Sequence, residues 1–390
     1  MRALLRALHD GARPEAGSAH ERAWRCEQTQ ALAIARHMRD GGNMAPLVVC
    51  RADSPLGKNC ATEKLPTHIV TNDGLWTALG LWWRMRRHDK LLIFTIGESG
   101  IELARRIKSL RATLGGSHTL CVHAFFVRPP DATHDIGKQL RQARHIIYGS
   151  EYVRLQLATA LGRANEHHRV AALPASELTL LAPGAHYAGA IRAQARPHDG
   201  GNVVVGMGAA LGARSGVRCA LKAVARLGED AALPPVELRL VGHGPRYGEI
   251  MQEAASLGLE RRLAVLDEQD LADVLPACHV WLAPGSAPDA APETLACAFA
   301  AGVPVVAANG LLHRERLAAN PKAALLVQEN DTEAWAAALR RIVLEADLRQ
   351  ELVAQGTALW PTLSLESATQ RICQQLEHWF AQHNWQEKKA

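Results

Sequence analysis

The sequence predicts an α/β protein built from two parallel-sheet domains, and three observations predict it. The chain has 390 residues, 48% of them hydrophobic, enough for about two cores of ordinary size. Short apolar runs alternate with segments of helical period along most of its length. One polar stretch near the middle, Ala195–Asn202 (ARPHDGGN), is followed at once by a fresh apolar run and reads as a linker. Repeated β-α units imply parallel sheets with helices on both faces, and ligands in such sheets sit beyond the carboxyl ends of the strands.

In the first half, Arg2–Leu8 is a strand candidate. Glu27–Arg39 has helical spacing, with Ala31, Ile34, Ala35 and Met38 on one face. Strand Pro46–Cys50, helix Leu75–Arg87, strand Lys90–Ile96 and helix Ile101–Leu114 follow. Strands Thr119–Phe126 and His145–Tyr148 and helix Val153–Leu161 complete this half. The second half repeats the alternation. It runs through strands Val203–Val205, Glu237–Val241, Leu263–Leu266, Val280–Ala283, Val303–Ala307 and Ala324–Leu326. Helices Cys219–Leu227, Tyr247–Leu257, Leu271–Leu275, Glu293–Ala301 and Thr332–Ala346 alternate with them. The expected division is 1–195, 196–360 and a helical tail, 361–390.

The net charge of +5 conceals an asymmetry. Residues 1–195 hold 26 Lys+Arg and 16 Asp+Glu, whereas residues 196–390 hold 18 and 23. A basic first half suits an anionic partner, and an Arg-rich solvated surface explains the same count. Gly74–Arg87 (GLWTALGLWWRMRR) places Trp76, Trp82 and Trp83 beside Arg84, Arg86 and Arg87. Such a helix can lie on an anionic membrane surface. The plainer reading, which weighs more, is a core-facing helix with a basic end. No window of 18 uncharged apolar residues occurs, and Met1–Pro14, broken by Arg2, Arg6 and Asp10, lacks a signal-peptide core. The expectation is a cytoplasmic protein, peripheral at the inner face of the cell membrane. The eight cysteines are scattered without a C-x-x-C pair, which points to reduced, buried thiols and to neither a zinc site nor a disulfide framework. Nothing suggests a nucleic-acid partner.

Four segments of the second half are ordered like a known pattern: Val204–Gly216 (VVGMGAALGARSG), Leu238–Pro245 (LRLVGHGP), Leu257–Pro284, and Asp289–Val306 (DAAPETLACAFAAGVPVV). Together they resemble glycosyltransferase family 4, the group 1 glycosyltransferases. The first half resembles the family's acceptor domain more loosely, through WRCEQTQALAIARHMRDGG, VVCRADSPLG, YGSEYVRLQLATALG and ELTLLAPGAHY. The resemblance implies the GT-B architecture, two Rossmann-like domains facing each other across a cleft. It implies a C-terminal tail that crosses back to the first domain. The implied reaction is retaining transfer of a sugar from a nucleotide-diphosphate sugar to a lipid-linked or saccharide acceptor, in cell-envelope polysaccharide or glycolipid synthesis. Neither a protein nucleophile nor a metal nor another cofactor is expected, so stabilising the leaving diphosphate is the main catalytic task.

The resemblance also names candidates. The helix beginning near Pro292 would aim its positive end at the phosphates, and the small residues Ala290 and Ala291 let backbone approach. Gly242 and Gly244 make a sharp turn lining the same place. Gly208, Leu266 and Thr294 complete that lining. The family's phosphate-binding Arg and Lys fall on Ala210 and Ser215, with Arg214 adjacent and able to substitute. Of the family's two glutamates, Asp289 matches the first, while Cys297 stands at the second, where a thiol is a poor acceptor for a ribose diol. Glu293, one turn before Cys297, is an alternative acceptor or simply a first-turn acid complementing the helix dipole. Asp289 and His123 are the catalytic candidates, and Glu98 is a weaker one. His123 stands late in the strand TLCVHAFF, where the family often has a histidine near the donor sugar. It also reads as a strand-end residue bonded to backbone.

Two rivals stay in view. Gly206, Gly208 and Gly212 in GMGAALG approach a dinucleotide fingerprint, but no acid ends the next strand, LVGHG. A sugar epimerase of the same fold is open, because fold does not fix reaction. The substituted donor positions also suit a non-catalytic, glycosyltransferase-like partner or scaffold.

Overall fold

The computed structural model describes residues 2–7, 19–41, 44–51, 54–71, 74–97, 100–114, 118–126, 140, 143–168, 178–196, 201–208, 216–242, 246–266, 271–285, 292–383 and 385. It divides into two compact units. One comprises Met1–Ala12, Ala23–Pro183 and Leu365–Ala390, the other Arg13–Arg22 and Gly184–Ser364.

The first unit carries strands β1 (Arg2–Ala7), β2 (Ala45–Cys50), β3 (Thr67–Ile69), β4 (Lys90–Ile96), β5 (His118–Phe125), β6 (His145–Tyr148) and β7 (Leu178–Leu180). They form one sheet in the order β3-β2-β1-β4-β5-β6-β7, with every pairing parallel. The runs β2 and β4 are almost wholly buried, as expected for strands covered on both faces. Helix Ala19–Asp40 buries the predicted stripe Ala31, Ile34, Ala35 and Met38 in the core.

Among the elements that escaped the sequence reading, two belong near the start of the first unit. Helix Pro55–Thr62 is rich in residues that usually break helices, yet its start is well specified: the Ser54 hydroxyl accepts from the Gly57 amide, and Pro55 opens the first turn. β3 is three residues long, too short for periodicity to register.

The tail of the chain belongs to this unit. Helix Leu365–Gln382 buries Ile372, Cys373, Leu376, Trp379 and Phe380 in the first unit's core. The Gln30 amide donates to the Thr369 hydroxyl at 2.9 Å, both buried. The His145 ring stacks on Trp379 with centroids 4.1 Å apart.

The second unit carries β8 (Val203–Gly208), β9 (Val236–Val241), β10 (Leu263–Leu266), β11 (Val280–Ala283), β12 (Val305–Ala308) and β13 (Ala324–Val327), in the order β10-β9-β8-β11-β12-β13. Every pairing is parallel. Counted within the unit this is the 3-2-1-4-5-6 order of a doubly wound sheet, which reverses direction between β8 and β11. The two faces of β8 do different things. Val203, Val205 and Met207 pack with helices Val217–Leu227 and Thr332–Leu344. Val204 points to the other side, with Trp281 and the helix Pro292–Ala300.

The break between units falls at Pro183/Gly184, ahead of the linker read at Ala195–Asn202. Backbone bonds hold the intervening segment to the second unit: Ala185 N–H donates to Leu363 C=O and Arg192 N–H to Ala300 C=O, both at 2.9 Å. The helix expected over Thr332–Ala346 ends at Leu344. Glu345 is extended (φ −92°, ψ 95°), and a new helix runs Ala346–Leu363.

Candidate functional site

In the second unit the direction of the sheet order changes between β8 and β11, so the carboxyl ends of these strands are where a doubly wound unit takes its ligand. Gly208 ends β8, Ala283 ends β11, Leu266 ends β10, and Gly242 follows β9. Gly242 has φ 138°, a conformation that side-chain-bearing residues rarely adopt, and its N–H donates to the Leu266 carbonyl at 3.0 Å. Three predicted donor-side positions, Gly208, Gly242 and Leu266, therefore share one end of one sheet.

A tryptophan forms the floor beneath them. Trp281 on β11 pairs directly with Gly206 on β8 and is fully buried. A Cβ on Gly206 would lie 2.4 Å from its ring, and one on Gly208 would lie 2.5 Å from Thr294 Oγ1 and 2.8 Å from the ring. The two glycines, two residues apart on one strand, thus make room for an indole. The same spacing that resembles a dinucleotide fingerprint has a packing cause inside the strand. The sequence held a signal for this in the Trp of VWLAP; what it lacked was the register.

Helix Pro292–Ala300 follows β11 in the chain, and its N-terminus carries the positive end of its dipole. Thr294, in its first turn, is buried and its hydroxyl accepts from Trp281 Nε1 at 3.4 Å. Glu293 is half-buried. Cys297 is buried, and its thiol donates to the His186 carbonyl at 3.4 Å. Burial, and after it the charge of Glu293, pushes this thiol well above the usual range, so it stays protonated. Its neighbour Tyr187, which the sequence reading passed over, sets its ring edge-on to Trp360 and has a buried hydroxyl without a protein partner among the described residues. Asp289, Arg214, Ser215, Gly244, Ala290 and Ala291, with Ala210 and Glu98, lie outside the described residues. Among the described residues no group of three or more His, Cys, Asp or Glu side chains could hold a metal ion.

His123 belongs to the first unit. It sits on β5 in register with Thr95 on β4, buried, with Nδ1 2.6 Å from the Thr95 hydroxyl. Thr95 is a second residue the sequence reading missed, since only strand pairing brings it to His123. Burial and then the nearby Lys108 push His123 down to about 3, so its imidazole is neutral at physiological pH.

Two further histidines are held neutral in the same way. His145 is pushed down to about 4 by burial, Arg144 and His383, and His313 to about 4 by burial, with Arg316 adding to it against a backbone bond to Ala308. In the unfolded chain all three protonate near the ordinary value of ~6.5. Between that value and the folded ones the unfolded state binds more protons, so their contribution is full above ~6.5 and is lost as pH falls toward 4. Each tenfold loss of proton affinity on folding is worth at most ~1.4 kcal/mol, less for half-buried His145. Urea midpoints should therefore fall steadily from pH 7 to pH 4.5. A midpoint that stays level down to pH 5 contradicts this account.

Two doubly wound units with parallel sheets are the GT-B type of fold. Residues 201–345 match the family model described as glycosyl transferases group 1. Solved structures share the fold along almost the whole chain. A glycosyltransferase from Rickettsia africae superimposes with a TM-score of 0.73 at 12% identity, covering 98% of this chain and 99% of the other. HepE from Anabaena, solved with UDP and glucose, gives 0.66 at 17% identity, covering 97% and 100%. Sucrose-phosphate synthase from Thermosynechococcus elongatus gives 0.62 at 16% identity, covering 98% and 100%. Among curated proteins no match is found.

Proposed function

We propose that the protein transfers a sugar, with retention, from a nucleotide-diphosphate sugar to a lipid-linked or saccharide acceptor in the synthesis of cell-envelope polysaccharide or glycolipid. The observation that carries this reading is the group 1 match, which spans β8 to the helix Thr332–Leu344 and so takes in the strand ends and the helix N-terminus named above. HepE, the Anabaena neighbour, was also solved with UDP-glucose, which supports a nucleotide-sugar donor. A galactosyltransferase of the lipopolysaccharide outer core, WaaB, is similar in fold, with a TM-score of 0.64 at 9% identity, and supports the envelope assignment.

In this reading the first-turn amides and dipole of the helix at Pro292 stabilise the leaving diphosphate, with Arg214 and Ser215, which follow Gly208 in the sequence, contributing to the same task. Asp289 accepts from hydroxyls of the donor sugar. His123, neutral, serves by hydrogen bonding rather than by carrying a proton. The protein works in the cytoplasm, at the inner face of the membrane. The competing reading, a non-catalytic partner, draws on Cys297, whose buried thiol is already committed to the His186 carbonyl.

Incubating the protein with UDP-, GDP- and ADP-sugars, with and without a lipid-phosphate acceptor, separates the two. Release of nucleoside diphosphate with one donor is the expected result. No turnover and no thermal shift with any of them favours the partner reading.

A further inference from the structure

Helix Leu75–Met85 has two unlike faces. Ala78, Leu81 and Met85 are buried in the first unit's core. On the opposite side Trp76 is 84% exposed and Trp83 62%, with Leu75 at 51% beside them. At 100° per residue Trp76, Gly80, Trp83 and Arg87 fall in one stripe, and nothing lies within 4 Å of where a Cβ on Gly80 would be. Tryptophan exposed to this degree, twice on one helix, is unusual for a side chain of such apolar area.

The charge around the stripe has one sign. Arg84, Arg86, Arg87 and Lys90 stand against the single acid Asp89 in the segment 74–90. Among the described residues no carboxylate pairs with Arg84, Arg86 or Arg87. Arg86 instead lies over the Trp83 ring, 3.3 Å from its centroid, and Arg84 reaches His68 Nδ1 at 3.1 Å. The helix is also rigidly mounted. Arg111, fully buried, donates to the carbonyls of Met85 at 2.9 Å and His88 at 2.6 Å and to the Thr119 hydroxyl at 2.9 Å, tying down the helix C-terminus.

We infer that this face is a docking surface for an anionic lipid bilayer. Indole rings prefer the boundary between headgroups and acyl chains, where an apolar body and a polar N–H are both satisfied. Arginines flanking them meet lipid phosphates in forked geometry. No helix among the described residues is long and apolar enough to cross a membrane; attachment by an amphipathic surface such as this one is reversible. The inference gives a physical basis to the membrane location proposed above, but it needs no transfer activity.

Flotation of the full chain with phosphatidylcholine vesicles, with and without phosphatidylglycerol, tests it. Binding is expected only to the anionic vesicles and to weaken with salt. Arg84→Gln and Arg87→Gln should each weaken it about fivefold, the equivalent of ~1 kcal/mol per arginine at such a surface. Trp76→Ser with Trp83→Ser should weaken it about tenfold or more. Both tryptophans are exposed, so the double variant should keep the wild-type circular dichroism and nucleotide-sugar turnover. Failure of the wild type to float, or equal binding by the tryptophan double variant, overturns the inference. So does self-association without lipid that Trp76→Ser abolishes, because the face would then belong to a second copy. These outcomes are read without turnover, so they stand apart from success or failure of the proposed reaction.

Discussion

Asp289→Ala should lower kcat/KM for the preferred nucleotide sugar by roughly ten- to hundredfold while leaving the melting temperature unchanged. That range corresponds to losing a hydrogen bond between a charged acceptor and a sugar hydroxyl, ~1.5–3 kcal/mol. Asp289 precedes the helix Pro292–Ala300 by three residues, so in the proposed reading it reaches the sugar while the helix end faces the diphosphate. A carboxylate in that role is needed only with substrate bound, which is why stability should not register its loss. Asp289→Glu supplies the acid that the group 1 pattern has at this position, and it should retain activity or gain it. Wild-type kinetics in the alanine variant would remove Asp289 from the donor site. Equal losses for Ala and Glu would point to backbone shape rather than to the carboxylate.

Gly206→Val should destabilise the protein by about 3 kcal/mol or more, a cost at the upper end of overpacking in a core. The new Cβ would lie 2.4 Å and 2.6 Å from two carbons of the Trp281 ring and 2.6 Å from Cys278 Sγ. Both residues are buried, and β8 and β11 are central strands of the sheet. Neither a rigid indole nor a central strand can give way by that much. Combining the substitution with Trp281→Leu should recover part of the loss, and a double-mutant cycle should show coupling of ~1 kcal/mol or more. A Gly206→Val protein that melts with the wild type would show that Trp281 does not need this glycine. Because Gly208 abuts the same ring and Thr294, the floor of the strand-end site depends on the same packing, so partial unfolding should also reach donor binding.

Much of this architecture was legible in the sequence, because strand and helix periodicity are local properties. The runs Pro46–Cys50, Lys90–Ile96 and Val280–Ala283 carry their own burial signal, and the stripe Ala31, Ile34, Ala35, Met38 has the spacing of one helix face. The boundaries were less legible. Helix Pro55–Thr62 depends on a cap more than on composition, and the helix break at Glu345 interrupts an apolar pattern that by itself continues.

The candidate site divides in the same way. The sequence by itself determined the order of the strand-helix units and the chemistry of the candidates, including the acid at 289 and the thiol at 297, since residue type is independent of the fold. Only the tertiary structure decided what each described candidate touches. Register between β8 and β11 put Trp281 against Gly206 and Gly208. Register between β4 and β5 gave His123 its threonine, and burial there holds the imidazole neutral. The segment Gly184–Arg196 brought the His186 carbonyl to Cys297. On the surface, the indoles at 76 and 83 face outward because Ala78, Leu81 and Met85 won the core. Each of these outcomes depends on contacts between residues far apart in the chain, and local pattern carries no information about which of two faces a neighbour will cover.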